Sequence, residues 1–142
     1  MSYLALTLKN FGEPATALEL VELPSEKPKN SEAIVSMDAV GMHIADGLFV
    51  RGKEMITRAM PCIPGFEGVG TVSKIGTGVK NLKEGDKVLL PMGTGSMRQE
   101  LKIHASQLTK VPKPYAPDEQ LALITVNGFT AYFLLKDYRK VK

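Results

Sequence analysis

The sequence predicts a mostly β fold with helices gathered at its C-terminal end, and three observations carry that reading. Thirteen glycines and nine prolines in 142 residues cut most of the first 115 into short extended pieces. Several of those pieces alternate polar and apolar residues with the period of a half-buried strand. The last quarter changes character, with a helix-start signal followed by apolar residues at helical spacing. Many short strands with closely spaced turns suggest a small, partly open barrel.

Tyr3 to Lys9 alternates as a strand, and Leu18 to Leu23 follows after the turn-forming run Phe11-Gly12-Glu13-Pro14. Ser25 to Asn30 has the composition of a loop. Glu32 to Val40 alternates again, with Ile34, Ser36 and Asp38 on one face and Val35, Met37 and Ala39 on the other. A short helix is expected around Ile44 to Val50. Gly65 to Ile75 and Asp86 to Leu90 are two further strands, bounded by the turn signals Gly76-Thr77-Gly78 and Glu84-Gly85-Asp86. Gln99 to Ile103 adds a strand and Leu108 to Val111 a short one.

Pro117-Asp118-Glu119 then places a fixed φ and two acids where a helix begins. Asn127-Gly128-Phe129-Thr130 reads as a break and a second cap, opening a helix from about Phe129 to Tyr138. The expected division is residues 1–115 as the β-rich domain and 116–142 as a helical segment leading away from it.

Composition excludes several classes of function. Hydrophobic residues make up 44% and charged residues 23%, which argues against disorder. The net charge of +3 comes from scattered side chains. The stretches Lys27 to Lys29 and Arg139 to Lys142 read as a solvated turn and a solvated terminus, so no nucleic-acid partner is expected. A single cysteine, Cys62, permits no internal disulfide and suits a reducing compartment. With no signal-peptide pattern at the start and no apolar run of about 18 residues, the chain is expected to be cytoplasmic and to have no membrane partner.

At Pro64-Gly65-Phe66-Glu67-Gly68-Val69-Gly70-Thr71-Val72, then Ile75-Gly76-Thr77-Gly78-Val79 and Leu82-Lys83-Glu84-Gly85-Asp86-Lys87-Val88, the sequence resembles the medium-chain dehydrogenase/reductase family. The match extends upstream to Val40-Gly41-Met42-His43-Ile44-Ala45-Asp46 and downstream to Asn127-Gly128-Phe129-Thr130-Ala131-Tyr132, and so covers nearly the whole chain. The resemblance implies a GroES-like, partly open β-barrel that carries the substrate. The glycines of the first run read as conformational, because Gly65-Phe66-Glu67-Gly68-Val69-Gly70 is not a Gly-x-Gly-x-x-Gly phosphate cradle. A small OB-like or chaperonin-like binding barrel would account for the strand count but not for the ordered run from Pro64 to Val88.

The zinc-dependent members of that family have a cysteine near the position of His43 and a histidine at the position of Phe66. Catalytic zinc needs three protein ligands and structural zinc needs clustered cysteines, so no zinc is expected. The resemblance is then to zinc-free quinone reductases and 2-enoyl thioester reductases, carried by Gly93 to Glu100 and Val126 to Tyr132. It implies NADPH as hydride donor and a small-molecule substrate: an enone, a quinone or an enoyl thioester. The enoyl reductases often use a tyrosine as proton donor, and the corresponding loop here, Val50-Arg51-Gly52-Lys53-Glu54-Met55, has none.

By the same resemblance Asn127 and Thr130 are candidates for binding the nicotinamide side of the cofactor, with helix capping as their structural alternative. His43 and Thr130 are the candidate catalytic residues, His43 being the general acid-base group at a plausible cleft position. His104 reads as a surface residue. Asp46 is expected to hold its loop through backbone hydrogen bonds, and Cys62 to pack as a small apolar group. Glu67 is expected to be a buried carboxylate paired with a nearby base, for which Arg98 is one candidate.

The resemblance places the end of the chain before the nucleotide-binding domain, so these residues alone are expected to bind no cofactor and to be inactive. Two functions stay open at this point. The chain is the substrate-domain portion of a zinc-independent NAD(P)H-dependent oxidoreductase, or a free-standing, non-catalytic domain that binds a ligand or protein. In the second case the apolar helical face around Leu134 and Leu135 needs a cover, which self-association or a partner would supply.

Overall fold

The computed structural model describes residues 1–56, 58–113 and 116–139. The alternation at the start forms β1 (Ser2–Leu8), which pairs antiparallel with β2 (Leu18–Pro24) across the short helix α1 (Pro14–Ala17). The other strands are β3 (Glu32–Gly41), β4 (Glu67–Ile75), β5 (Lys87–Leu89), β6 (Glu100–His104) and β7 (Thr109–Lys110). They form one antiparallel sheet in the order β6-β3-β4-β5-β7. Neither sheet closes on itself, so the architecture is the partly open barrel that the turn spacing and the resemblance imply. The β1–β2 ribbon joins the rest through isolated bridges, Ala5 to Arg98 and Leu8 to Cys62.

The main core lies on one face of the five-stranded sheet, where Val35, Val72, Val88, Leu90 and Leu101 are buried together. A second cluster under the ribbon joins Leu8 to Phe49, Val50 and Phe66. A third seats Leu121 and Ala122 on Val69 and fixes the start of the helical segment to the sheet.

The alternation predicted for β3 fails locally. Ala33, Ile34 and Val35 are all buried, because β3 is a central strand covered on both faces there, and its register with β4 shifts at Ile34/Val35 and Met37/Ala39. The strand expected from Gly65 starts at Glu67 instead. Gly65 has φ +116°, and a β-carbon there would lie 2.7 Å from the Ser96 backbone nitrogen, so the chain turns before it extends.

Helix α2 (Ile44–Val50) has the expected bounds. Helix α3 (Asp118–Leu121) begins after Pro117, with both acids in its first turn. The break expected at Asn127-Gly128 is absent. A π-helical turn, Ile124–Gly128, runs directly into α4 (Phe129–Phe133) and a second π-helical turn, Leu134–Tyr138. Gly128 is helical (φ −64°, ψ −47°), and the Asn127 and Gly128 N–H groups both donate to the Leu123 carbonyl. Asn127 and Thr130 therefore sit inside a helical run, and Asn127 does not cap it. No helix among the described residues is long and apolar enough to cross a membrane. Tyr115 at the expected boundary and the basic terminus beyond Arg139 lie outside the described residues.

Candidate functional site

The site grows from the junction where β3 ends and α2 begins. Gly41 pairs with Glu67 in the β3–β4 register, and a β-carbon on Gly41 would lie 2.8 Å from Glu67 Cγ. Only a glycine leaves room there for the buried carboxylate. Two residues later His43 stands immediately before α2, its backbone N–H donating to Asp46 Oδ2 at 2.8 Å while the Asp46 N–H donates to the His43 carbonyl. Asp46 thus holds the loop as expected, in the reciprocal way a short acid can at a helix start.

Glu67 is fully buried, and both of its oxygens are used. Oε1 lies 2.5 Å from His43 Nε2, and Oε2 accepts the Val126 N–H at 2.7 Å. The carboxylate therefore binds the start of α2 to the helical run that carries Asn127 and Thr130. Glu67 is thus the buried carboxylate paired with a nearby base that was expected, the base being His43 and not the candidate Arg98. Arg98 Nε donates to the Gly95 carbonyl, because β4 points Glu67 toward α2 while the turn before β6 turns Arg98 toward β1.

Asn127 follows the Val126 anchor directly and Thr130 lies three residues on, which places them as neighbours on the helix surface. Both are exposed, as are Met42 and Ile44 on either side of His43. Exposed Met42 and Ile44 thus flank the His43–Glu67 pair, and Asn127 and Thr130 are exposed on the helical run that Glu67 anchors. Met42 and Ile44 were not singled out in the sequence. The anchoring Val126 N–H carried no sequence signal at all, since any non-proline residue offers one.

Asp46 is the electrostatic outlier of the site. Burial pushes its carboxyl above the ordinary range against the opposing pull of the His43 backbone N–H and imidazole, and its Oδ1 has no hydrogen-bond partner. Phe66, beside Glu67, packs edge-on to Phe49 at 6.3 Å within the apolar cluster under the ribbon. Among the described residues, no group of three His, Cys, Asp or Glu side chains converges to hold a metal ion. His104 ends β6 on the surface and accepts the Ser106 N–H. Cys62 packs against the Phe66 cluster, and burial raises its thiol.

The model of the alcohol dehydrogenase GroES-like domain matches residues 29–113, from the loop before β3 through β7. The chain belongs to that family. This GroES-like domain is 35% identical over 141 residues to a mitochondrial enoyl-[acyl-carrier-protein] reductase of Dictyostelium discoideum, covering 97% of the chain and 40% of that protein. It is 35% identical over 133 residues to a chloroplast envelope quinone oxidoreductase homolog of Arabidopsis thaliana, covering 89% of the chain and 40% of that protein.

Among solved structures, the domain superposes on a mycobacterial protein complexed with NADPH. The TM-score is 0.80 and the identity 30%, covering 99% of this chain and 42% of that one. It also superposes on the mitochondrial 2-enoyl thioester reductase heterodimer of Candida tropicalis, with TM-score 0.89 and 25% identity, covering 100% of this chain and 44% of that one. These relatives are medium-chain dehydrogenases/reductases of the quinone and enoyl reductase type. The chain spans about 40% of the length of the curated relatives it matches.

Proposed function

We propose that this GroES-like domain is the substrate-domain portion of a zinc-independent, NADPH-dependent oxidoreductase that reduces a double bond conjugated to a carbonyl. The observation that carries the reading is the buried Glu67, held at one oxygen by His43 and at the other by the Val126 N–H. It fixes a titratable ring at the rim and locks the neighbouring helix in register with it.

In this reading His43 is the group that holds or relays a proton at the cleft, its Nε2 oriented by Glu67 as a carboxylate orients a catalytic imidazole. Asn127 and Thr130 offer an amide and a hydroxyl to the nicotinamide carboxamide. Met42 and Ile44 supply apolar surface that keeps water from the conjugated part of the substrate. NADPH, when bound, supplies the hydride. The described strands pair only antiparallel, whereas a dinucleotide fold needs a parallel βαβ unit. In this reading the cofactor's pyrophosphate is held outside the described residues, and the chain by itself does not turn over. Zinc does not fit: Glu67 has no free oxygen, and Phe66 fills the neighbouring position with a packed ring.

Substrate class follows the relatives only as far as enoyl thioester or quinone. The test is a fusion of residues 1–142 to the remainder of the Dictyostelium discoideum enoyl reductase, assayed for NADPH oxidation with an enoyl thioester and with a quinone. Turnover of either, insensitive to zinc chelators and lost in His43→Ala, supports the proposal. A folded, NADPH-binding fusion that reduces neither overturns it and favours a non-catalytic binding domain. The exposed apolar helical residues Phe129, Tyr132, Phe133, Leu134 and Leu135 suit that second reading equally, as a face that needs a cover.

A further inference from the structure

Away from the His43–Glu67 site, two arginines converge without a counter-ion. Arg98 follows the bridge that ties its backbone to Ala5 of β1, and Arg58 reaches back along the segment whose Cys62 is bridged to Leu8 of the same strand. Both guanidinium groups close on the turn at Gly95. A β-carbon there would lie 3.1 Å from Arg58 Nη1, 3.1 Å from Arg98 Nη2 and 2.5 Å from the Ile63 carbonyl oxygen, and φ is +80°. Glycine is thus required both by the backbone angle and by the space that the two side chains occupy.

Each arginine spends one donor on a carbonyl: Arg58 Nη1 on Ile63 at 3.1 Å and Arg98 Nε on Gly95 at 2.8 Å. Arg98 also meets the Tyr3 hydroxyl, and both arginines line a surface recess together with Thr7, Leu23, Pro61 and Cys62. Among the described residues, neither arginine has a carboxylate in ion-pair range. The acids of the adjacent β2 are engaged elsewhere, Glu19 with Lys9 and Glu22 with the Ser2 hydroxyl. Burial disfavours the charged form of Arg98, the Tyr3 hydroxyl opposes that, and the Arg58 charge adds to it.

Two partly buried like charges side by side, with no anion, are costly to hold. Guanidinium forks match oxyanions in pairs of parallel hydrogen bonds. A carboxylate would neutralise one of the two charges, whereas a phosphate carries about −1.5 to −2 at neutral pH and matches both. We infer that Arg58 and Arg98 form a binding site for a phosphate monoester, whose organic part lies on Pro61, Cys62 and Leu23. The site shares no residue with the His43–Glu67 pair, and the inference does not rest on the reductase reading.

The probes are inorganic phosphate, phenyl phosphate and benzoate, titrated at constant ionic strength into the purified chain and read by backbone amide chemical shifts. The expected result is saturable binding of both phosphates that moves the amides of Gly95, Arg98 and Cys62, with phenyl phosphate binding more tightly and benzoate at least about tenfold more weakly than phenyl phosphate. R58Q and R98Q should each weaken phosphate binding at least about tenfold, while K74Q, which removes an equal charge from a remote strand, leaves it unchanged. The wild-type shift map serves as the deciding measurement if a variant fails to fold. The site does not exist if phosphate shifts fall outside the Gly95 turn or do not saturate. Benzoate binding as tightly as phenyl phosphate overturns the assignment to phosphate.

Discussion

His43 Nε2 and Glu67 Oε1 lie 2.5 Å apart with the carboxylate wholly buried, and the other oxygen of Glu67 accepts the backbone N–H of Val126. One side chain therefore terminates three pieces of structure: the entry to α2, the first residue of β4 and the helical run after Leu123.

Replacing Glu67 tests that arrangement. Glu67→Gln keeps the shape but offers an amide nitrogen to one of two groups that were bonded to oxygen, and should cost about 1–3 kcal/mol. Glu67→Ala also leaves His43 and the Val126 N–H buried without a partner, and about 3–5 kcal/mol is expected by analogy with broken buried pairs. Denaturant unfolding measures both. Hydrogen exchange at Val126 should accelerate more than at Val72, and equal effects at the two amides would refute the anchoring role.

Two acids should move stability in opposite directions with pH. Asp86 is held below its ordinary value by the Lys110 ammonium and the Lys83 backbone N–H. Its contribution is fully present above the ordinary aspartate pKa and is lost as pH falls through the lowered folded value. Asp86→Asn should flatten the acid limb of a stability–pH curve, and an unchanged limb would contradict this.

Asp46 has the reverse sign. Burial raises its folded value, so its ionised form costs stability above that value, and the cost disappears as pH falls toward the ordinary aspartate range. Asp46→Asn retains an oxygen for the His43 N–H and needs no buried charge. Its amide NH2 takes the place of the unpartnered Oδ1, a cost that offsets the relieved charge. The change at pH 7 should therefore be small, while the pH dependence due to Asp46 disappears. A D46N stability–pH curve with the wild-type slope would contradict this. Thermal unfolding of D46N against D86N across pH separates the two cases.

Lys87 bridges Asp38 on β3 and Asp118 at the start of α3, 2.9 Å from each. Burial alone would lower its ammonium, but the two carboxylates outweigh that and hold it above the ordinary lysine value. Its contribution is complete below the ordinary lysine pKa and is lost as pH rises through the raised folded value. Lys87→Met should cost about 1 kcal/mol, a small figure because the pairs are partly solvated. The loss should appear as faster exchange at the α3 amides of Leu121 and at Ala122.

Two glycines should answer the same substitution differently. On Gly70 a β-carbon would lie 2.5 Å from the Ser36 carbonyl oxygen, so Gly70→Ala should destabilise by about 1–3 kcal/mol or more. On Gly128 it would meet Ile124 at an ordinary 3.5 Å with helical backbone angles, so Gly128→Ala should stabilise by about 0.5–1 kcal/mol. Calorimetric midpoints decide both.

The strands and α2 were legible because their signals are local: alternation, a glycine turn, a proline before two acids. Glu67 was legible as a buried carboxylate but not its partner, since the choice between His43 and Arg98 depends on which way two separate turns face. Asn127-Gly128 misled for the opposite reason. A locally strong break was overridden once the Leu123 carbonyl accepted from both N–H groups and Val126 was tied to Glu67. The Arg58–Arg98 convergence had no signal in the chain order, because 40 residues and two bridges to β1 bring the pair together.

Those bridges have a consequence of their own. The β1–β2 ribbon is held to the molecule by a handful of main-chain bonds to the Met97 and Cys62 carbonyls and the Gln99 N–H, and by the burial of Ala5 and Leu8. Such a unit can open before the five-stranded sheet does. Once open, it bares the free edge of β1, whose unpaired main-chain groups can template pairing with another chain. Damage to the loops carrying Cys62 or Arg98 should therefore register first as aggregation of otherwise folded molecules, with the sheet still intact inside the aggregate.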